Sequence, residues 1–156
     1  MEPSCGTGNF FGLLPESMQN SKRHGVEIDS LTGRIAKQLY QKANIAIEGF
    51  EKTNLPDDHF DVVLGNVPFG EIRVNVSRYN AQKFLIHDYF FAKALDKVRA
   101  GGVVMFITSK GTMDKASPEV RKYIAQRAEL LGAIRLPDNT FRANAGTEVT
   151  SAILIL

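Results

Sequence analysis

The sequence predicts an α/β fold built on a doubly wound, mostly parallel sheet, and two observations support that prediction. Short apolar runs of strand length alternate with segments of helical periodicity along the 156 residues, as they do where helices connect neighbouring parallel strands. Residues 62–64 are continuously apolar and largely β-branched, as expected of a strand buried on both faces. The length suits one core of useful size, so we expect residues 1–156 to form a single domain.

The first half of the chain is expected to contain strands and one clear helix. An apolar-flanked carboxylate in residues 24–29 marks a strand end, and residues 43–48 form a short strand. Between them lies a helix that Asp29 or Ser30 can cap. Its apolar residues recur at helical spacing and are expected to face the core. This stripe consists of Leu31, Ile35, Leu39 and Ala36.

The second half is expected to continue the alternation and to close the sheet. Gly101 and Gly102 are predicted to end a strongly apolar helix, and Pro118 stands at the first position of another. The final two strands are expected to be connected by residues 137–149. The predicted elements are a helix over 84–98, a strand over 103–108, a helix over 117–130 and strands over 131–136 and 150–156.

A pair of glycines near the N-terminus indicates a loop that approaches a ligand. Gly6 and Gly8 are separated by one residue, which lets the backbone turn tightly, and Thr7 and Asn9 can hydrogen-bond what it contacts. A plain glycine-rich turn is the alternative. No Lys-Ser/Thr follows the glycines, and the third glycine of a dinucleotide fingerprint is replaced by Phe11, so a phosphate-binding loop is disfavoured.

Glu27 follows these glycines at an informative distance. It lies within the strand-like residues 24–29, about 20 residues further along the chain, where nucleoside-binding α/β folds place the acid that holds ribose hydroxyls. The spacing therefore makes Glu27 a candidate ribose ligand.

The tetrapeptide Asn66-Val67-Pro68-Phe69 follows the apolar run 60–65. Glycine and proline stop the strand there, and α/β sheets place their ligands at the carboxyl ends of strands. The Asn66 side-chain oxygen can accept a hydrogen bond, and Phe69 can stack on a flat ring. These residues predict a site for an exocyclic amine, although a turn after a strand gives the same tetrapeptide pattern.

Taken together, the motifs resemble those of class I S-adenosylmethionine-dependent methyltransferases, specifically the group that methylates the N6 amine of adenine in DNA. In that family a D/E-P-x-x-G-x-G loop cradles the methionine end of the cofactor, and an acid in a G-x-E-x-D stretch holds the ribose. The resemblance implies a Rossmann-like class I sheet with an antiparallel final strand. It also implies S-adenosylmethionine as cofactor, bound by Glu2, Pro3, Gly6, Thr7, Gly8, Asn9 and Glu27.

The same resemblance assigns the target-binding residues. The family's N-P-P-Y/F loop binds the target amine and is matched by Asn66, Pro68 and Phe69. Val67 replaces the first proline, whose contribution in the family is a backbone carbonyl that any residue supplies; what valine loses is the fixed φ. The form N-V-P-F-G also resembles methylase modules within large helicase-like proteins of mobile elements.

Two further residues stand where the family has functional side chains. Glu51 occupies the place of an acid that contacts the amino group of the cofactor's adenine, with a solvated loop carboxylate as the alternative. Phe141 matches a second aromatic that stacks against the target base, with plain hairpin packing as the alternative. Phe50 is expected either to pack on the cofactor's adenine or to join the core.

The start of the chain departs from the family. Class I domains have a central first strand that runs directly into the acidic residue of the glycine loop, whereas only Met1 precedes Glu2 here. The first strand and any helix before it are expected to be missing, and nothing resembling a target-recognition domain follows Leu156. The chain is therefore interpreted as a fragment whose exposed sheet edges favour self-association.

Composition excludes several other classes. The formal net charge of +2 is too small to indicate nucleic-acid binding by itself. A single cysteine excludes an internal disulfide framework and favours a cytoplasmic protein. Three scattered histidines lack metal-ligand spacing, so no metal is expected. No apolar run approaches the length of a membrane-spanning helix, so no membrane partner is expected.

The function implied by the resemblance is direct methyl transfer to N6 of an adenine flipped out of DNA, within restriction-modification or mobile-element biology. DNA and the flanking domains of a larger polypeptide are the expected partners. Two alternatives stay open. In the first alternative the target is another planar amine, such as adenine in RNA or a glutamine side chain in a protein. In the second, the chain is a catalytically silent fragment that acts as a binding module.

Overall fold

The computed structural model describes residues 1–142, 146 and 149–156. Its six strands alternate with helices along the chain, and short 3₁₀ turns cover Glu16–Met18, Phe50–Lys52 and Ser77–Gln82. The strands are β1 His24–Glu27, β2 Asn44–Ile47, β3 Phe60–Asn66, β4 Val98–Ser109, β5 Gly132–Leu136 and β6 Ser151–Ile155. The helices are α1 Asn9–Gly12, α2 Ser30–Leu39, α3 Ile86–Lys97, α4 Gly111–Asp114 and α5 Glu119–Ala125. None of these helices combines the length and the apolar character needed to cross a membrane, as far as the described residues extend.

The strands form two hydrogen-bonded groups. β1 pairs with β2 in parallel, while the second group has the order β3-β4-β6-β5. β3 and β4 are parallel, whereas β6 runs antiparallel to both of its neighbours. The predicted mostly parallel sheet with an antiparallel final strand is therefore confirmed.

Met1 and Glu2 lie between the two groups of strands and join them. On one side the Met1 amine donates to the Val62 carbonyl at 2.7 Å, and Leu64 N donates to the Met1 carbonyl at 3.0 Å. On the other side Glu2 exchanges two backbone hydrogen bonds with β1, of 2.8 and 2.9 Å. Two residues thus occupy the place between β1 and β3 where the family resemblance puts the first strand.

Helix α3 crosses the sheet and supplies most of the core on that face. Phe91 on α3 and Phe106 on β4 are fully buried, and their rings meet edge to face at a centroid distance of 5.1 Å. The helix is buried on nearly every side, because the β3–β4 sheet and α5 cover it from different directions. The helix predicted from the apolar spacing is therefore confirmed, with slightly narrower bounds.

The two glycines that were predicted to end α3 have another role. The helix already ends at Lys97, and β4 begins at Val98, which pairs with Phe60. The register then shifts, and Gly101 adopts a left-handed φ of +71° within the irregularity. A Cβ on Gly102 would lie 2.8 Å from the Asp61 carbonyl oxygen. The pair therefore forms a strand irregularity that sequence alone presents as a helix end.

The large residues of the apolar stripe predicted to face the core on α2 are exposed instead. Leu31 and Leu39 are both more than 60% exposed, and Ile35 is 41% exposed. Ala36, the fourth residue of the predicted stripe, is buried, as is Gly33 on another side of the helix. A Cβ on Gly33 would lie 3.0 Å from the Ile47 side chain, so small residues let the helix approach β1 and β2 closely. Close packing of the backbone decides the orientation, and the prediction from side-chain size was wrong.

The last two strands agree with the sequence prediction, whereas the helix before them is shorter than predicted. β5 and β6 form the expected antiparallel pair. Helix α5 spans Glu119–Ala125 rather than 117–130, and Pro118 is its N-cap rather than its first residue. Residues 128–131 continue in extended or irregular backbone towards β5. Residues 143–145 of the predicted connection, and 147–148, lie outside the described residues.

Candidate active site

The glycine loop and the 66–69 loop meet at the carboxyl ends of the central strands. Ser4 Oγ donates a 2.8 Å hydrogen bond to the Asn66 carbonyl oxygen. One residue earlier, a Cβ on Gly65 would lie 3.5 Å from Glu2 Cγ and 3.6 Å from Pro3 Cδ. The two motifs, more than sixty residues apart in the chain, are therefore in direct contact.

The glycine loop depends on both of its glycines. Gly6 and Gly8 have left-handed φ angles of +54° and +88°, which side chains with a Cβ adopt rarely. Gly8 N donates to the Cys5 carbonyl at 2.7 Å, which closes the turn before α1. The Tyr40 ring lies over Gly8, where a Cβ would approach its Cδ2 to 2.8 Å. The loop is therefore a tight turn whose backbone a ligand can approach closely.

Glu27 is brought to this loop as its spacing predicted. Its Oε2 accepts a hydrogen bond from Gly6 N and its Oε1 accepts one from Asp29 N, both at 2.8 Å. The carboxylate thus stands at the end of β1 beside the glycine loop. Each oxygen keeps a further lone pair, so the group can still accept hydrogen bonds from ribose hydroxyls.

Glu2 is buried at the centre of the sheet with one oxygen unsatisfied. It is 2% exposed, and its Oε2 has no hydrogen-bond partner among the described residues. Burial raises the pKa of this carboxyl to about 8, against the smaller opposing effect of the Met1 amine. An unsatisfied buried carboxyl favours a cationic donor. It therefore fits the amino group of a methionine moiety, and with it the cofactor implied by the sequence.

The 66–69 loop is anchored to β4 while its functional groups remain accessible. Val67 is 2% exposed, and its N donates to the Ile107 carbonyl at 3.1 Å. Asn66 is exposed at the end of β3, and Phe69 is half-buried against the main core. The loop therefore presents an amide and a ring edge beside the glycine loop, while the backbone between them is fixed.

Glu51 lies in the 3₁₀ turn after β2, and its carboxylate folds back over Gly49. A Cβ at Gly49 would lie 2.5 Å from Glu51 Cδ and closer still to both oxygens. Phe50 is 3% exposed and contacts the Phe90 ring at a centroid distance of 5.1 Å. Phe50 was expected either to pack on the cofactor's adenine or to join the core, and the structure places it in the core.

Phe141 is a half-buried residue of the turn that follows β5. Within the described chain no ring contact connects it to Phe69, so the two predicted stacking residues are not joined directly. Arg78, which follows the 66–69 loop in the chain, forms ion pairs of 2.9 Å with Asp57 and 3.1 Å with Asp96.

Two buried lysines of α3 escaped the sequence analysis. Lys93 and Lys97 are 6% and 7% exposed, and both donate to backbone carbonyls of the segment between β2 and β3. The available signal was their i, i+4 spacing within a helix whose other positions are mostly apolar. Lysines on such a helix are usually solvated, which is why the pattern did not identify them.

Comparison with known proteins decides the family. A model of the Eco57I restriction-modification methylases matches residues 11–141. The chain belongs to the Eco57I restriction-modification methylase family. "Defense against restriction protein B" of Escherichia phage P1 is 34% identical over 160 residues, which cover 99% of this chain and 7% of the phage protein. This Eco57I-family chain therefore spans a small part of that relative's length.

Solved structures agree with the family at the level of the fold. The methyltransferase subunit of a type I restriction-modification system from Streptococcus thermophilus matches with a TM-score of 0.77 and 18% identity, over 99% of this chain and 38% of that one. Geranyl diphosphate methyltransferase in complex with S-adenosylmethionine matches with a TM-score of 0.66 and 11% identity, over 99% and 75%. The Eco57I-family chain thus has the class I methyltransferase fold, and the expected cofactor is the one these neighbours use.

Proposed function

We propose that this domain methylates the N6 amine of adenine in DNA by direct transfer from S-adenosylmethionine. The contact between Ser4 Oγ and the Asn66 carbonyl is the main support, because it joins the cofactor loop to the target loop. A methyl donor held by the glycine loop and an amine held by Asn66 would then be neighbours. Membership of a restriction-modification methylase family supports DNA as the substrate.

The cofactor site is assigned to the loop and the acids around it. Gly6, Gly8 and the flanking Thr7 and Asn9 supply backbone and polar contacts, and the buried Glu2 carboxyl receives the amino group. Pro3 shapes the loop, Glu27 holds the ribose and Glu51 accepts from the adenine amine. What the bound cofactor supplies is a methyl group on a positively charged sulfur. These assignments account for the unsatisfied Glu2 oxygen and for the left-handed glycines.

The target amine is held by the 66–69 loop. Asn66 Oδ1 and the Val67 carbonyl would accept its two hydrogens, which orients its lone pair toward the methyl donor. The buried Val67 side chain and its hydrogen bond to Ile107 fix the position of that carbonyl. Positioning of this kind lowers the barrier with little acid–base chemistry. The new C–N bond would form as the S–CH3 bond breaks, S-adenosylhomocysteine would leave, and the proton lost by the methylated amine would pass to solvent. The transfer step itself does not require a side chain whose pKa is shifted towards the working pH.

An adenine inside a duplex reaches this loop only when it is flipped out, which costs a few kcal/mol. Stacking on Phe69 would return about 1–3 kcal/mol, and Pro68 holds the turn that presents the ring. Phe141, in the turn after β5, is proposed as the second stacking residue once DNA is bound. Sequence recognition is assigned to other parts of a longer polypeptide, in keeping with the 7% of the phage relative that this chain spans.

The test is the Asn66→Ala variant with Asn44→Ala as its matched control. Asn44 stands at the amino end of β2, away from the carboxyl ends where the loops meet. With tritium-labelled cofactor and duplex DNA, Asn66→Ala should lose methyl transfer by at least about a hundredfold while cofactor affinity stays nearly unchanged. Asn44→Ala should behave as wild type. Retained transfer by Asn66→Ala would refute the role of Asn66.

The product decides the substrate class. The same chain is incubated with DNA, RNA or a protein mixture, and the modified residue is identified by mass spectrometry. N6-methyladenine in DNA supports the proposal, whereas methylation confined to RNA or to glutamine supports the other planar-amine substrates. Cofactor binding without transfer to any of the three would indicate a binding module.

A further inference from the structure

Lys93 is a buried cation with an unusual set of partners. It is 6% exposed, and its Nζ donates hydrogen bonds to the Phe50 carbonyl and, at 3.3 Å, to the Thr53 carbonyl. The same Nζ lies 4.6 Å from the centroid of the Phe50 ring. Within the described part of the chain it forms no ion pair. A buried ammonium without a carboxylate partner is costly, so its contacts call for a specific explanation.

The Phe50 carbonyl is the centre of this arrangement. It also accepts hydrogen bonds from Thr53 Oγ1 at 2.8 Å and from Thr53 N at 3.3 Å. The carbonyl belongs to the planar peptide unit that links Phe50 to Glu51. Three donors hold the orientation of that unit, and with it the position of the Glu51 Cα that the unit contains.

The Glu51 carboxylate lies in the space beside Gly49. A Cβ on residue 49 would meet the carboxylate, so the glycine leaves this position open to it. Gly49 itself has an ordinary extended backbone, with φ −66° and ψ 143°, so the absence of a Cβ matters here for room and not for conformation. Gly49 therefore leaves room for the Glu51 carboxylate, and the Phe50 peptide plane places the Cα from which the Glu51 side chain starts.

We propose that Lys93 is a positioning residue which, through the Phe50 carbonyl, holds Glu51 where its carboxylate can select the amino group of a purine cofactor. The inference rests on the proposed function, which assigns the adenine amine to Glu51. Burial lowers the pKa of Lys93 to about 8, and Lys97 lowers it further while Glu51, Glu48 and Asp57 oppose the shift. Lys93 is still mostly charged at neutral pH, and a charged donor makes the stronger hydrogen bond to a carbonyl.

Lys97 offers a matched control on the same helix. It lies one turn after Lys93, is equally buried, and donates to the Leu55 carbonyl and at 2.6 Å to Asp57 Oδ1. It therefore fixes the next part of the same segment without touching the peptide unit before Glu51. A general loss of packing by α3 would affect both lysines, whereas a specific effect on Glu51 should be confined to Lys93.

The experiment compares two ligands that differ at one group. S-adenosylhomocysteine carries the purine amine, and S-inosylhomocysteine carries a carbonyl there, which a carboxylate rejects. Wild type should prefer the amine by about tenfold or more, as expected for a charged hydrogen bond. K93M should lose most of this preference, chiefly by weaker binding of S-adenosylhomocysteine. K97M should keep the preference, even where its thermal unfolding temperature is lower.

The outcomes separate this inference from the proposed function. No binding of either ligand by wild type would refute the proposed cofactor site, and equal binding would refute the role of Glu51 and this inference with it. A tenfold preference in wild type that persists in K93M would refute only the positioning role of Lys93. If K93M does not fold, K93Q replaces it. If neither variant folds, Lys93 is needed for the stability of the whole helix rather than for the position of Glu51, and this result would also overturn the proposal.

Discussion

Substitution of Gly8 by alanine should destabilise the protein by two separable effects. The backbone at Gly8 has φ +88°, and the left-handed conformation costs a residue with a Cβ about 1–2 kcal/mol. The new Cβ would also lie 2.8 Å from Tyr40 Cδ2 and 3.3 Å from Phe11 Cδ2. The Tyr40 and Phe11 rings pack edge to face at 5.6 Å, so displacing them should cost about 1–3 kcal/mol more. The expected loss is about 2–5 kcal/mol.

Gly6→Ala provides the control for the backbone effect alone. Gly6 is also left-handed, with φ +54°, but a Cβ there would have no neighbour within 4 Å. Its substitution should therefore cost only about 1–2 kcal/mol. The difference between the two variants measures the contacts of the new Cβ with Tyr40 and Phe11. Urea unfolding followed by far-ultraviolet circular dichroism measures both free energies, provided that the m-value is unchanged.

A Tyr40→Ala background completes the cycle. Once the ring is removed, the excess cost of Gly8→Ala over Gly6→Ala should shrink, because only the 3.3 Å contact with Phe11 Cδ2 remains beside the backbone effect. If Gly8→Ala is no more destabilising than Gly6→Ala in the wild-type background, the tight turn inferred from the Tyr40 contact is wrong.

Two further outcomes are expected from the buried charges. Asp88 is 2% exposed and is ion-paired with Lys115, so Asp88→Asn should lower the unfolding free energy by about 2–4 kcal/mol. Asp61→Asn, which breaks the exposed pair with Arg99, should cost much less, because solvent screens such a pair; equal losses in urea unfolding would contradict the difference in burial. Since the Glu2 carboxyl has a pKa of about 8, it holds a proton at pH 7, and an arriving ammonium group lowers that pKa. Binding of S-adenosylhomocysteine should then release a proton, strengthen as the pH rises from 7 to 8, and lose both effects in Glu2→Gln. Calorimetry in buffers of different ionisation enthalpy measures the release, and identical proton release by Glu2→Gln would exclude the carboxyl as its source.

Local chemistry explains why the conformation of the two loops could be predicted from the sequence. Gly6 and Gly8 have the left-handed backbone that only glycine adopts readily, and the 66–69 loop ends a strand at glycine and proline. The approach of Glu27 to Gly6 was also predictable, since its distance from the glycines is typical of nucleoside-binding folds. These features depend on short segments, and the sequence contains each of them in full.

Predictions failed where two patterns competed for the same role. On α2 the large apolar residues and the small ones lie on different sides, and the small ones are buried because Gly33 lets the helix approach Ile47. Gly101 and Gly102 resemble a helix end, yet they lie in β4 because Val98 already pairs with Phe60. Which pattern prevails depends on the surface against which the segment packs, and that surface is formed by residues elsewhere in the chain.

The sequence by itself determined the order of strands and helices, the two loops and the class of chemistry that their residues can perform. Only the tertiary structure decided which groups act on one another: Ser4 on Asn66, and Lys93 on the carbonyl before Glu51. It also decided that Glu2 is buried with an unsatisfied oxygen. The physical reason is that hydrogen bonds and burial depend on distances between residues that are remote in the chain, and those distances are set by packing of the whole domain.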